Sequence, residues 1–199
     1  GAGAIGGLVA GYLKLKGLDV SLAGNSVSVK AIRESGLEIS GVRGGLNIKL
    51  DISEKLNQRP ELAIISTKTQ DIDTAIRENL KFIEDTTVLT TQNGIQADDI
   101  AARYIPKENI ISSIVMFGAT YLQPGNVLHN FEGSWIIGRL FNPSQKSPGF
   151  SPRDECTLFS AREGASAFRP RGSTRLVIAL AGFGGFRHEA KKITGRGSV

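Results

Sequence analysis

The sequence predicts an α/β protein built as a doubly wound parallel sheet, and three observations predict it. A glycine-rich turn, Gly1-Ala2-Gly3-Ala4-Ile5-Gly6, runs directly into a helical stretch. Short apolar runs such as Leu62-Ala63-Ile64-Ile65 carry no polar alternation, as strands covered on both faces require. Between them lie segments with apolar residues three and four apart, so strands alternate with helices of about 10–15 residues.

The elements follow in order. Residues 1–16 read as a turn and a helix, stopped at Gly17 because glycine tolerates the left-handed conformation that ends helices. Residues 19–23 form a short strand, 29–35 a helical turn, and 37–50 short strands around a glycine turn at 41–45. Residues 62–66 form a buried parallel strand. In 71–83, Ile72, Ala75, Ile76, Leu80 and Ile83 share one helical face. A second buried strand at 87–91 ends on Gln92-Asn93-Gly94. A helix over 95–104 and a strand over 109–117 follow. Residues 127–129 and 134–137 are expected to close the unit as an antiparallel pair. After Pro143 the pattern stops: Pro148, Pro152 and Pro170 arrive among scattered Gly and Arg, and only 176–181 retains a short helical pattern.

Composition supports a division near residue 140. Residues 1–147 hold 15 Lys and Arg against 15 Asp and Glu, whereas 148–199 hold 9 against 4. The tail therefore carries the whole net charge of +5, and its basic residues are mostly Arg. The expected organisation is a dinucleotide-binding domain over 1–140 and an atypical Arg/Gly/Pro-rich tail over 141–199, read as a frame-shifted or truncated second domain. One cysteine, Cys156, excludes a disulfide framework and a thiolate metal cluster. His129 and His188 are too far apart for a zinc-type motif, so no metal is expected. No apolar run is long enough to span a bilayer, and no secretory signal opens the chain. The expectation is a cytoplasmic protein with neither membrane nor nucleic-acid partner. The basic tail matches no nucleic-acid module.

The opening turn fits G-x-G-x-x-G, and its chemistry needs those glycines. The first permits a tight turn, the second lets backbone approach a pyrophosphate, and the third lets helix and strand pack closely. The helix start adds free N–H groups and partial positive charge. The strand that ordinarily precedes such a turn is absent from its start, so the expected sheet is Rossmann-like and lacks its first strand. A dinucleotide reader of the NAD type carries Asp or Glu about 20 residues on. Here the sequence is Leu22-Ala23-Gly24-Asn25-Ser26, with Lys30 and Arg33 close behind. The missing carboxylate and these cations favour NADP.

In open α/β sheets, ligands bind beyond the carboxyl ends of the strands. Two such ends are polar: Ser66-Thr67-Lys68-Thr69-Gln70-Asp71 and Thr91-Gln92-Asn93-Gly94. Lys68 suits a phosphate, a ribose or a carboxylate; Asn93 suits a carboxamide or a hydroxyl. His129 reads as structural, and Trp135 as core or edge packing.

Over 1–140 the ordered motifs resemble the ketopantoate reductase (2-dehydropantoate 2-reductase) family. They are the glycine turn through Gly7, Lys68-Thr69-Gln70-Asp71, Gln92-Asn93-Gly94-Ile95, Phe117-Gly118-Ala119, Pro124-Gly125-Asn126-Val127 with His129, and Ile137-Gly138. The resemblance implies a Rossmann domain followed by a helical domain. It implies NADPH-dependent reduction of a small 2-oxo acid, 2-dehydropantoate, to pantoate in pantothenate and coenzyme A biosynthesis. It also implies that Gly1, Ala2, Gly3, Ala4, Ile5 and Gly6 hold the pyrophosphate of NADP. Asn25 falls where the family often has Arg for the 2′-phosphate. Lys68 matches a lysine at the cofactor crevice, Asn93 an asparagine touching cofactor and substrate, and Ala119 a backbone contact to cofactor. Lys68 and Asn93 are thus the expected substrate contacts as well. The family's proton-donating lysine lies in a helical second domain, and nothing in 141–199 matches that stretch. The expected catalytic residue is therefore not found, and the helical domain is absent or unrecognisable. The chain reads as a catalytically incomplete fragment. The alternatives are a non-catalytic dinucleotide-binding remnant, or another 2-oxo or hydroxy acid dehydrogenase on the same half-fold.

Overall fold

The computed structural model describes residues 1–94 and 96–138 and the backbone of 175–178. The first helix, α1 (Ala4–Leu15), leads into β1 (Asp19–Ala23), α2 (Ser26–Ser35), β2 (Leu37–Gly41), β3 (Leu46–Ile48) and β4 (Asp51–Ser53). Then come β5 (Leu62–Ile65), α3 (Ile72–Ile83), β6 (Thr87–Thr90), α4 (Gln96–Ala101) and β7 (Ile110–Val115). The last elements are β8 (Gly118–Gln123), β9 (Asn126–Phe131), β10 (Trp135–Gly138) and β11 (Arg175–Ile178).

Two sheets result. The larger runs β10-β7-β6-β5-β11-β1-β4, parallel apart from the antiparallel β10–β7 edge. The smaller runs β3-β2-β9-β8. Successive residues of the inner strands point into different cores. On β5, Ile64 joins a cluster with Leu8, Val20, Leu22 and Leu89, while Ala63 and Ile65 join one with Ile72, Ala75, Ile76 and Val88. Both faces of the strand are covered, which is why its sequence shows no polar alternation. Burying each such side chain contributes about 1.5–3 kcal/mol.

Helix α1 is packed between the two sheets: Leu8, Val9 and Leu13 share a core with Val20 and Leu22 on one side and with Leu37, Ile39, Ile48 and Val127 on the other. Two glycines set how closely it approaches the small sheet. A Cβ on Gly7 would stand 3.0 Å from Val127 Cγ2. One on Gly11 would collide with Ile39 Cδ1 and stand 2.9 Å from Ile48 Cδ1. The helix ends as expected, with Gly17 at φ +81°.

Several expectations need correction. Residues 127–129 and 134–137 do not pair with each other: β9 pairs with β2 and β8, and β10 pairs with β7. The pairing of β9 with β2 is parallel and long-range, so no local turn signal could announce it. Helix α2 begins three residues before the expected turn because Asn25 caps it, its side chain accepting from Ser28 N at 2.8 Å. Helix α4 is shorter than the 95–104 pattern, ending at Ala101. Residues 176–178, expected to open a short helix, lie instead in β11, whose strand backbone runs between β1 and β5. Two parallel neighbours supply ladder bonds there, and Val177 and Ile178 are β-branched residues that favour strands. Cys156 and His188 lie outside the described residues.

Candidate functional site

The glycine turn sits at the carboxyl ends of β1 and β5. Gly3 is the N-cap of α1, with extended backbone (φ −91°, ψ −161°) and no side-chain cap. The first turn holds no acidic residue, and the first helical bond runs from Gly7 N to Gly3 O at 2.8 Å. The amides of Ala4, Ile5 and Gly6 therefore have no acceptor within the helix, and they point where the helix dipole is positive. A Cβ on Gly3 would meet nothing within 4 Å. Open space beside free amides is a cradle for an anion.

The turn is held from two sides. Ser66, just beyond β5, exchanges contacts with Gly1: the Gly1 amine reaches Ser66 Oγ at 3.3 Å, and Ser66 Oγ donates to Gly1 O at 3.4 Å. On the β1 side the glycine at 24 makes the approach possible, because a Cβ there would stand 2.8 Å from Ala2 Cβ. Gly24 was not singled out from sequence; its position one residue past a buried strand is the signal that could have found it.

Asn25 follows directly, exposed, with its Oδ1 committed to capping α2; its amide hydrogens remain for a ligand. Lys30 is exposed on the same helix. Arg33 is turned elsewhere, donating from Nε and Nη2 to Ile52 O at 3.1 and 2.9 Å. It therefore serves the junction of α2 with β4.

Lys68 is exposed on the loop after β5, where a short 3₁₀ turn (Thr69–Asp71) leads into α3. Across from it, the tip beyond β6 bonds to both neighbouring strands. Thr91 N and Oγ1 reach Ile65 O at 3.1 and 3.2 Å. Gln92 Nε2 donates to Thr67 O at 2.6 Å and to Ile65 O at 3.2 Å. Asn93 turns the other way: Nδ2 donates to Val115 O at 3.0 Å, and Oδ1 accepts from Val115 N at 2.9 Å. Asn93 is nonetheless exposed, and its second Nδ2 hydrogen stays available. Ala119 lies two residues past Phe117 on β8, packed at the margin of the core that holds α1. The chain thus brings Gly1 to Gly6, Asn25, Lys68 and Asn93 to the carboxyl edge of one sheet. Ala119 belongs to the adjoining one.

His129 is structural. It is fully buried, with Nδ1 3.0 Å from Tyr12 Oη, and burial first, then the Arg43 charge, hold its pKa below the usual imidazole value. Trp135 is core, 1% exposed. Among the described residues no group of three or more His, Cys, Asp or Glu is placed to hold a metal, and no helix is long and apolar enough to cross a membrane.

A parallel sheet with a glycine turn at its carboxyl edge, running into a helix buried against it, defines a Rossmann-type α/β domain. Comparison with known proteins narrows the class: the family model described as ketopantoate reductase PanE/ApbA matches residues 1–142, and the chain belongs to that family. The 2-dehydropantoate 2-reductase of Pyrococcus abyssi is 34% identical over 139 residues, covering 69% of this chain and 45% of that protein. The structure of D-mandelate dehydrogenase with NADH and anilino(oxo)acetate is 31% identical, with a TM-score of 0.61 over 69% of this chain and 45% of that one. The fold is shared by the 2-dehydropantoate 2-reductase of Geobacter metallireducens, 24% identical with a TM-score of 0.63, covering 73% of this chain and 49% of that one. The chain spans about half the length of these relatives.

Proposed function

We propose that residues 1–140 form the cofactor-binding half of a cytoplasmic 2-dehydropantoate 2-reductase, using NADPH. One observation carries the reading: uncapped amides at the start of α1 face open space beside Gly3, at the sheet edge that also presents Lys68 and Asn93. The donor set fits a dinucleotide. Ala4, Ile5 and Gly6 would meet the pyrophosphate, and Asn25 would meet the ribose or its 2′-phosphate. A reduced nicotinamide held there supplies a hydride for the C2 carbonyl of a 2-oxo acid. This chain's own contributions are orientation and charge: Lys68 as a cation for cofactor or substrate oxygen, Asn93 through its remaining amide hydrogen, and Ala119 through its backbone. Such donors matter because a polar substrate group left without a partner in the crevice costs about 1–3 kcal/mol. The proton for the developing alkoxide requires a further acid, and none of the described residues is assigned that role. The chain is therefore expected to bind cofactor and to reduce ketopantoate slowly or not at all.

Titration with NADPH, followed by its fluorescence, tests the reading. A saturable change with negligible turnover of 2-dehydropantoate is expected, and a flat titration on folded protein would overturn it. A second reading, an NADH-dependent 2-hydroxy acid dehydrogenase, is favoured by Arg33. With its guanidinium on Ile52 O, the ribose corner keeps one fewer cation for a 2′-phosphate. D-mandelate dehydrogenase, which binds NADH, is as similar as the reductases. Parallel titrations with NADH and NADPH separate the two, the lower Kd identifying the cofactor.

A further inference from the structure

We propose that Gln92 is a positioning residue of the dinucleotide site, acting through Lys68 by clamping the loop that carries it. The inference rests on the reading just given. The amide of Gln92 faces two carbonyl oxygens, Thr67 O at 2.6 Å and Ile65 O at 3.2 Å. Both are acceptors, so only the NH₂ end of the amide can face them. Its orientation is thereby fixed, and both of its hydrogens are used. Its Oε1 is buried without a protein donor, as is Thr67 Oγ1, so the amide gains nothing by turning over. The two carbonyls flank Ser66, and Thr67 immediately precedes Lys68. The next residue along the chain, Asn93, clasps Val115 from both ends of its own amide. Two consecutive side chains beyond β6 therefore reach opposite ways, Gln92 to the end of β5 and the loop after it, Asn93 to the end of β7. The β5–β6 register ends at Ile65↔Thr90 and the β6–β7 register at Leu89↔Ile111; Thr91 N and Oγ1 extend the tie to Ile65 O, and Gln92 carries it past them to Thr67 O, next to Lys68.

The clamp needs donors, and this distinguishes it from packing. Gln92→Met keeps the length and removes both N–H groups. Gln92→Glu keeps the shape and turns the donor end into an oxygen facing two oxygens. Space-filling alone ranks Glu as the milder change; the clamp ranks it as the harsher. Amide hydrogen exchange of the cofactor-free full chain is the first measurement. Faster exchange confined to peptides covering 66–71 is expected, greater in Gln92→Glu than in Gln92→Met, with α1 and β1 unchanged. The second measurement is the NADPH Kd in a double-mutant cycle with Lys68→Ala. Gln92→Glu is expected to raise Kd about tenfold in the wild-type background and to add little once Lys68 is gone. Unchanged exchange at 66–71, faster exchange throughout the sheet, or additive losses in the cycle would each overturn the proposal. A wild-type chain that binds no dinucleotide would overturn the functional reading instead, while the exchange experiment would still decide whether the clamp exists.

Discussion

Helix α1 uses glycine in opposite ways at its N-cap and along its body. At its N-terminus Gly3 looks onto open space, with free amides and no capping side chain. One and two turns on, Gly7 and Gly11 have side chains of the small sheet pressed against them. The first arrangement keeps a place for something absent from the chain; the second draws in something the chain already has. A glycine motif thus mixes two demands that respond to different measurements, and substitution at each place should separate them.

The largest effect is expected in the packed body. Gly11→Leu inserts a side chain where even a Cβ meets Ile39 and Ile48. The expected loss is about 3 kcal/mol of stability, read as a lower urea midpoint. A loss below about 0.5 kcal/mol would show that the helix is free to move off the small sheet. The open N-cap should respond in binding alone. Gly3→Asp sits in a backbone conformation open to any residue, so the thermal midpoint should hold. Its carboxylate occupies the cradle and repels phosphate, so the NADPH Kd should rise at least about tenfold. Equal losses of stability and affinity would erase the contrast. The smallest effect belongs to His129, which joins the packed body through Tyr12. Burial, then Arg43, lower its pKa in the folded state, so the unfolded chain binds the proton more readily. Stability should be complete above the unfolded value of about 6.5 and decline as pH falls below it. His129→Gln should flatten that decline, and urea melts at pH 7.5 and 5.5 would reveal it.

The sequence was most readable where one residue type serves one purpose. The apolar run at 62–65 and the Thr, Val and Leu stretch at 87–91 announce β5 and β6 because both faces are buried, and the spacing of Ile72, Ala75, Ile76 and Ile83 announces α3. The edges were hidden. Strand β4 has a single apolar residue, Ile52, and β8 is largely exposed, so neither carries a hydrophobic signature. The parallel partnership of β2 with β9 joins residues far apart in sequence. In the candidate site, the glycine turn, Lys68 and Asn93 were legible as polar or glycine residues at strand ends. The orientations of Arg33 and Gln92 were not, since each depends on a backbone carbonyl from another strand.

The contact between Ala2 and Gly24 constrains anyone who would re-engineer the cofactor preference. The turn proposed to meet the diphosphate and the corner proposed to meet the adenosine ribose approach through two of the smallest residues available, so neither can be enlarged without shifting the other. Redesign of the corner is therefore confined to Asn25 and positions outward from it. A new side chain at 25 must also still cap α2, or the helix it leads into loosens with the change.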